Sequence, residues 1–365
     1  MGDRFARQSN IELLRIFAAF GVIILHINNL FLGGRYGVIE DGSKLQFLVI
    51  LSESISICAV NLYVLITGYF MRDSKKISLM KPINLLAQFL IFELFFYLVK
   101  ELPKGEGFSI TVFVKYFTPA YWFVFVYIAL YFVSPYLNLM WKHLEDKGKR
   151  RLLVTLVALF SVYPIICEFI ENIPLFGGTT DSSGEPVDIL HGISTVGLFG
   201  SQSGYTIVIF VLMYLIGCFI RDKEESLASI KMSRLIILLI LNIALIVGWT
   251  YIQRMMLGSD IISTVGWHYD NPLVISEAVI LFLIFRKLDI KNSRLINTLA
   301  AASFATYLIH INLLEYVKIE AFMGIGMLSL AMYVLLSLVV IYLISFALYE
   351  IYSLVTRPVW SHLGG

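Results

Sequence analysis

The chain has 365 residues, 58% of them apolar, 15% charged and 14% aromatic, with a mean hydropathy of +0.81 and a net charge of only +2. Soluble domains run near 45–50% apolar and about 25% charged, so an ordinary water-soluble protein is excluded. The near-neutral balance and the lack of a long basic tract exclude a disordered chain and a nucleic-acid partner, leaving an all-α polytopic membrane protein.

In chain order, the first ten residues, MGDRFARQSN, lack the apolar core of a cleavable signal peptide. A helical span needs about 20 mostly apolar residues. Ten segments are predicted to cross the bilayer: 12–32, 46–70, 82–99, 119–141, 152–170, 204–220, 235–252, 271–285, 295–313 and 325–350. With no fixed-period repeat and no composition shift, residues 1–365 read as a single transmembrane domain with no appended soluble domain. Cys58, Cys167 and Cys218 all fall in apolar stretches, unlike a disulfide or metal-ligand framework.

Within the first span, Ser9 and Glu12 have capping-box spacing, which predicts a helix start near Asn10. Arg15 follows, then the apolar run IFAAFGVIIL, then His26. Eleven residues at about 100° each return to within roughly 20° of one face, about 16 Å further along the axis. One stripe therefore carries a fixed cation near one membrane edge and a titratable base deeper in. Charges and imidazoles in hydrocarbon are costly and mark candidate sites. Two readings stand for Arg15, a snorkelling anchor or a ligand for an anion. Two stand for His26, an interhelical hydrogen bond or a base.

The intervening segments are read by charge. The set beginning with the N-terminus holds 20 Lys and Arg, and the alternate set holds 7. The positive-inside rule then places both termini in the cytoplasm, and ten spans satisfy that parity. The longest outer segment, 171–203, has no basic residue but carries Glu171, Asp181, Glu185, Asp188 and His191. It is either a solvated loop or a lid facing the acceptor side. Glu53, Glu93, Glu168 and Glu277 are scattered through the spans. For Glu53 and Glu277 the alternatives are a structural contact or a hydrogen bond that fixes a histidine tautomer. His310 lies in the same depth class as His26, while His143 and His362 sit in a loop and in the tail. No phosphate-binding glycine motif is present, GSQSG at 200–204 lacks the spacing of a Gly-x-Ser-x-Gly elbow, and no metal-ligand spacing occurs.

Arg15-x10-His26 in the first of ten spans resembles the acyltransferase 3 family of membrane acyltransferases. Four further blocks, in order, carry the resemblance. VNLYVLITGYFM at 60–71 resembles a block that usually reads SGYF, with Thr67 in place of Ser. YWFVFVYIALYFVSPYLN at 121–138 resembles the aromatic YWF…SP block. GYTIVIFVLMYLIGCFIR at 204–221 resembles the block ending in IG-x-x-IR, with Val208 or Ile209 where Trp is frequent. SFATYLIH at 303–310 resembles the S-x-x-x-YLIH ending.

The resemblance implies transfer of an acyl group, usually acetyl from acetyl-CoA, to a sugar hydroxyl of an extracytoplasmic glycan or lipid-linked glycan at the plasma membrane. It implies Arg15 and His26 as the catalytic pair. It also implies a basic CoA-binding motif after the SGYF block, which here reads Arg72-Asp73-Ser74-Lys75-Lys76; the alternative is plain positive-inside charge. Glu53, Trp122 and His310 are the candidate acceptor-binding residues. No permanently bound cofactor and no metal is expected, acyl-CoA being a substrate. Sugar hydroxyls are poor nucleophiles near neutral pH, and a neutral imidazole, with an ordinary pKa of about 6.5, is suited to taking the proton. Arg15 would hold a CoA phosphate, with the extended pantetheine arm spanning the rise to His26. Direct transfer and an acyl-histidine intermediate both remain open. A proton-coupled transporter or flippase, and a scaffold without chemistry, are the competing classes.

Overall fold

The first helix, α1 (Ser9–Phe31), is apolar around its whole circumference, and such a helix belongs in the middle of a bundle. Ile11, Leu14, Ala18 and Val22 join the main core, Ile23 and Ile27 a second cluster, and Ile16 and Ala19 a third. The computed structural model describes residues 8–31, 42–105, 108–117, 121–171, 179–180, 186–187, 202–257, 264–318 and 326–363. Around α1 stand α2 (Lys44–Ser56), α3 (Ala59–Met71), α4 (Met80–Lys100), the short α5 (Ile110–Phe117) and α6 (Trp122–His143). Next come α7 (Asp146–Val157), a π-helical turn at Ala158–Val162 and α8 (Tyr163–Glu171). The chain continues through α9 (Ile207–Asp222), α10 (Glu224–Ala228), α11 (Met232–Leu257), α12 (Pro272–Lys287), α13 (Arg294–Ala300), α14 (Ser303–Leu314) and α15 (Met327–Leu363). A two-residue antiparallel pair, Thr179–Thr180 with Pro186–Val187, is the one strand pairing among the described residues.

Eight helical segments among the described residues are long and apolar enough to cross a membrane. The other two predicted spans, 204–220 and 295–313, fall on the 16-residue α9 and on the 7- and 12-residue pair α13 and α14. These short helices are inner ones: Leu212, Met213, Tyr214, Leu308 and Ile309 are fully buried. Lipid-facing surface is carried instead by α4, α11 and α15, which expose residues such as Leu90, Ile237, Leu241, Leu336 and Val340. The single predicted span 46–70 is two helices with a break at Ile57 and Cys58, and 295–313 breaks at Ala301 and Ala302. Non-helical backbone at membrane depth is tolerated where protein buries it or where it lines a cavity.

The tightest crossing is α3 on α9. A Cβ built on Gly68 would lie 2.0 Å from the Tyr214 carbonyl oxygen, and one on Gly217 would lie 2.3 Å from that of Leu65. Only glycine lets these backbones touch, the small-residue packing that membrane helices use in place of a hydrophobic drive. Pro135 in α6 removes the N–H that would bond the Tyr131 carbonyl, and the Ser134 hydroxyl donates to that carbonyl instead at 2.7 Å. The Ser-Pro pair is thereby self-satisfied inside the helix.

The start of α1 departs from the capping-box expectation. Ser9 Oγ donates to Asn297 and accepts from the Ser293 N–H at 2.8 Å, and Glu12 accepts from Arg15. Asn10 donates to the carbonyls of Arg286 and Leu288. Long-range docking onto the α12–α13 connection has taken the Ser9 side chain, and Arg15, one turn along α1, has taken that of Glu12. The three cysteines are buried and free.

Candidate active site

His26 on α1 and His310 on α14 meet in the interior. Each ring is held by its own helix: Nδ1 of His26 lies 2.8 Å from the Val22 carbonyl oxygen, and Nδ1 of His310 lies 3.0 Å from that of Thr306. A carbonyl oxygen only accepts, so both Nδ1 atoms carry the proton. Nε2 of His310 lies 3.2 Å from Nδ1 of His26, and the rings pack edge to face with centroids 4.7 Å apart. The His26 Nδ1–H is thus shared between Val22 and the His310 lone pair. Its own Nε2 keeps a lone pair that no other side chain engages among the described residues. His310 is fully buried whereas His26 is partly accessible.

Of the two alternatives for Glu53 and Glu277, the contacts are those of structural residues and not of partners to a histidine. Glu53 accepts from Asn28 at 2.8 Å, and Glu277 lies beside the Cys58 thiol. The main chain of α1 and α14 fixes the histidine tautomers. Asn28 lies two residues beyond His26, so its bond ties Glu53 to α1 near the site.

Below the imidazoles lies a cavity of about 310 Å³, lined among others by Glu12, Arg15, Val22, Tyr63, Ser303 and Tyr307. Arg15 opens into one end of it, bonded to Glu12 at 3.1 Å and 36% exposed. Val22 and Tyr307 line the other end, one turn before His26 and His310 on their helices. The break at Ala301 forms part of its wall, and α14 begins there at Ser303. From the cavity wall, where Tyr307 and Phe123 lie, an aromatic series continues. Tyr307 packs against Phe123 at 5.4 Å, Phe123 abuts Trp122, and Trp122 meets Tyr205 at 4.5 Å and Tyr269 at 5.9 Å.

The basic motif after α3 divides in two. Arg72 bonds Asp222 and Asp73, and Asp222 also takes Lys149 at 2.7 Å and the Trp141 indole N–H at 3.0 Å. The Arg72 guanidinium thus belongs to an ion-paired knot tying α3, α6, α7 and α9. Lys75 and Lys76 are exposed. The glycine motifs at Thr67–Phe70 and Ile216–Arg221 form the α3–α9 crossing, and Tyr69 extends the same link to α12. Tyr69 Oη accepts from Arg221 at 2.9 Å and from Arg286 at 3.2 Å.

Sequence spacing missed a second cluster. Ligand atoms of Glu168, His268 and Asp270 lie within 4.8 Å of one another, and Ser203 adjoins them. Segments 168, 203 and 268 are too far apart in the chain for any motif to unite them; the one visible signal is the polar run WHYDN between apolar stretches. Of the 171–203 segment, residues 172–178, 181–185 and 188–201, with Asp181, Glu185, Asp188 and His191, lie outside the described residues.

Fold and site together define a polytopic all-α membrane protein with an imidazole pair above an arginine-bearing cavity. The acyltransferase domain family model, acyltransferase 3, matches residues 8–350. The chain belongs to that family and is a membrane acyltransferase. No curated protein and no solved structure matches it.

Proposed function

We propose that this acyltransferase takes an acetyl or other short acyl group from acyl-CoA on its basic, cytoplasmic side and passes it to a hydroxyl of a surface polysaccharide or lipid-linked glycan on the other side of the plasma membrane. The 20-to-7 distribution of Lys and Arg supports that orientation. The observation that carries the reading is the cavity leading from Arg15 to the turn below His26 and His310. Arg15 and the N-terminus of α14 both direct positive potential into it, a setting suited to a phosphate.

The acceptor hydroxyl gives its proton to Nε2 of His26 while its oxygen attacks the thioester carbonyl. The C–S bond breaks, and the imidazolium returns the proton to the CoA thiolate. The His310 lone pair stabilises the His26 imidazolium through Nδ1–H. Trp122, Tyr205 and Tyr269 supply aromatic surface for the sugar, with Glu53 beside them as acceptor contact.

Incubating the purified protein with radiolabelled acetyl-CoA and isolated surface glycan tests this directly. Label in the glycan is expected; a transporter or scaffold would leave it unlabelled. Arg15→Ala is expected to raise the KM for acetyl-CoA by about tenfold or more, and Arg15→Lys by less, because the bidentate fork is lost but the charge is kept. An unchanged KM in Arg15→Ala would remove Arg15 from donor binding.

The paired Lys75→Gln, Lys76→Gln variant should also raise the acetyl-CoA KM, by about two- to tenfold, with little change in kcat, as expected for lost uniform binding. Arg72→Gln should instead lower thermal stability, since Arg72 is bound to Asp222. If Arg72→Gln shifted KM and left the melting temperature unchanged, Arg72 would be a donor ligand and not a member of the knot.

A further inference from the structure

We propose that Ser203, His268 and Glu168 form a second catalytic centre, a nucleophilic serine site that takes acyl esters of sugar-like alcohols. It does not rest on the Arg15–His26 reading. The three residues come from three elements: Glu168 from α8, Ser203 from the turn before α9, and His268 from the segment before α12. All three elements meet at the end of the bundle where α1 finishes, opposite the Arg72 knot.

The hydrogen bonds run in one direction. Nδ1 of His268 lies 2.6 Å from Oε2 of Glu168, a carboxylate that is nearly buried. Nδ1–H donates to it, which orients the ring and leaves the lone pair on Nε2. That nitrogen lies 3.3 Å from Oγ of Ser203, within reach for taking the seryl proton.

The serine is held in an unusual way. Its φ of 54° and ψ of 25° lie in the left-handed region, which a serine rarely adopts. Strain of this kind persists only where the surroundings over-determine it, and it gathers at functional sites. Here the Ser203 carbonyl accepts from the Tyr269 N–H at 3.0 Å. The next residue, Gly204, has a φ of +83°, and a Cβ there would lie 2.6 Å from the Asp270 nitrogen. Ser161, in the π-helical turn leading to α8, donates to the Asp270 carbonyl. The serine turn and the histidine segment are thus bolted together. Tyr205 and Tyr269 follow the serine and the histidine in the chain and face each other with centroids 5.0 Å apart. Tyr205, tilted against Trp122, is 45% exposed and presents an aromatic surface suited to the apolar face of a sugar ring.

In the reaction, Ser203 Oγ attacks the ester carbonyl and its proton passes to Nε2 of His268. The bond from carbonyl carbon to alcohol oxygen breaks, and the alcohol leaves with that proton. Water or a second sugar hydroxyl then attacks the acyl-serine, giving its proton to Nε2, and Ser203 recovers it.

The test uses the full-length protein in lipid nanodiscs and a biotinylated alkyl fluorophosphonate, which a nucleophilic serine displaces at phosphorus with loss of fluoride. Peptide mass mapping of the wild-type protein is expected to place the adduct on Ser203. His268→Gln should slow labelling at least about 100-fold, and Glu168→Gln by about tenfold or more. No adduct on wild-type Ser203, or labelling of His268→Gln at the wild-type rate, would overturn the proposal. The probe needs no acyl-CoA, so failure here leaves the transfer reading standing, and failure of glycan labelling leaves this one standing.

Discussion

Replacing His26 with Ala is expected to lower acyl transfer by about 10²–10⁴-fold, the usual contribution of a positioned general base. The Nδ1–H of His26 is committed to Val22 and His310, so its Nε2 is the nitrogen available to a substrate hydroxyl. Membrane insertion and thermal stability should change little, because His26 is partly accessible and its hydrogen bonds lie within its own helix or to one neighbour. His310→Ala should cost less, about tenfold, since it acts on the reaction through His26. Transfer should rise with pH as the His26 imidazolium, which cannot accept a proton, gives way to the neutral ring. Rates of label transfer across a pH series for wild type, His26→Ala and His26→Asn decide the matter. Normal transfer by a well-folded His26→Asn protein would reduce the imidazole to a hydrogen-bonding strut.

Gly68→Ala and Gly217→Ala are each expected to prevent or severely weaken folding. Ordinary overpacking costs about 1–3 kcal/mol because side chains can shift aside. Here the obstacle is main chain: carbonyl oxygens at 2.0 and 2.3 Å belong to the facing helix. Relief requires α3 and α9 to part along their whole contact, which also strips Tyr69, Tyr214 and Cys218 of their surroundings. Gly248→Ala in α11 is the control, for a Cβ there meets nothing within 4 Å and Ala favours helix by about 1 kcal/mol. Melting curves of the three variants in detergent should show large losses for the first two and none for the third. Unchanged melting of Gly68→Ala would mean the helices are not in backbone contact.

The helical, membrane-spanning character was legible because apolar runs are a local property, and His26 was legible because an imidazole inside such a run is conspicuous. The breaks at Ile57 and Ala301 were hidden because no proline or glycine marks them; tertiary packing sets them. Ser9 and Glu12 misled for the same reason, since partners 284 positions away and Arg15 outbid the local cap. The His26–His310 contact joins residues 284 apart; the sequence placed the two at similar depth, but only the fold brings the rings together. Arg72 looked like part of a basic cluster because Asp222, its counter-charge, is remote in sequence. The cluster of Glu168, Ser203 and His268 was invisible because each member is an ordinary residue until three connections bring them together.

The Asp222 knot also bears on the order in which the protein is built. Arg72 and Lys149 leave the ribosome long before their common anion. At about 5–20 residues per second, Asp222 follows Arg72 by about 8–30 s. During that interval neither cation has Asp222, and both act on insertion, retaining their flanking helices on the basic side. When α9 arrives, Asp222 closes on Arg72, Lys149 and Trp141 together, and the same charges that oriented the early helices become part of a lock. Chains truncated before residue 222 should therefore insert with correct topology yet stay open to proteases at the α6–α7 connection, where full-length chains resist.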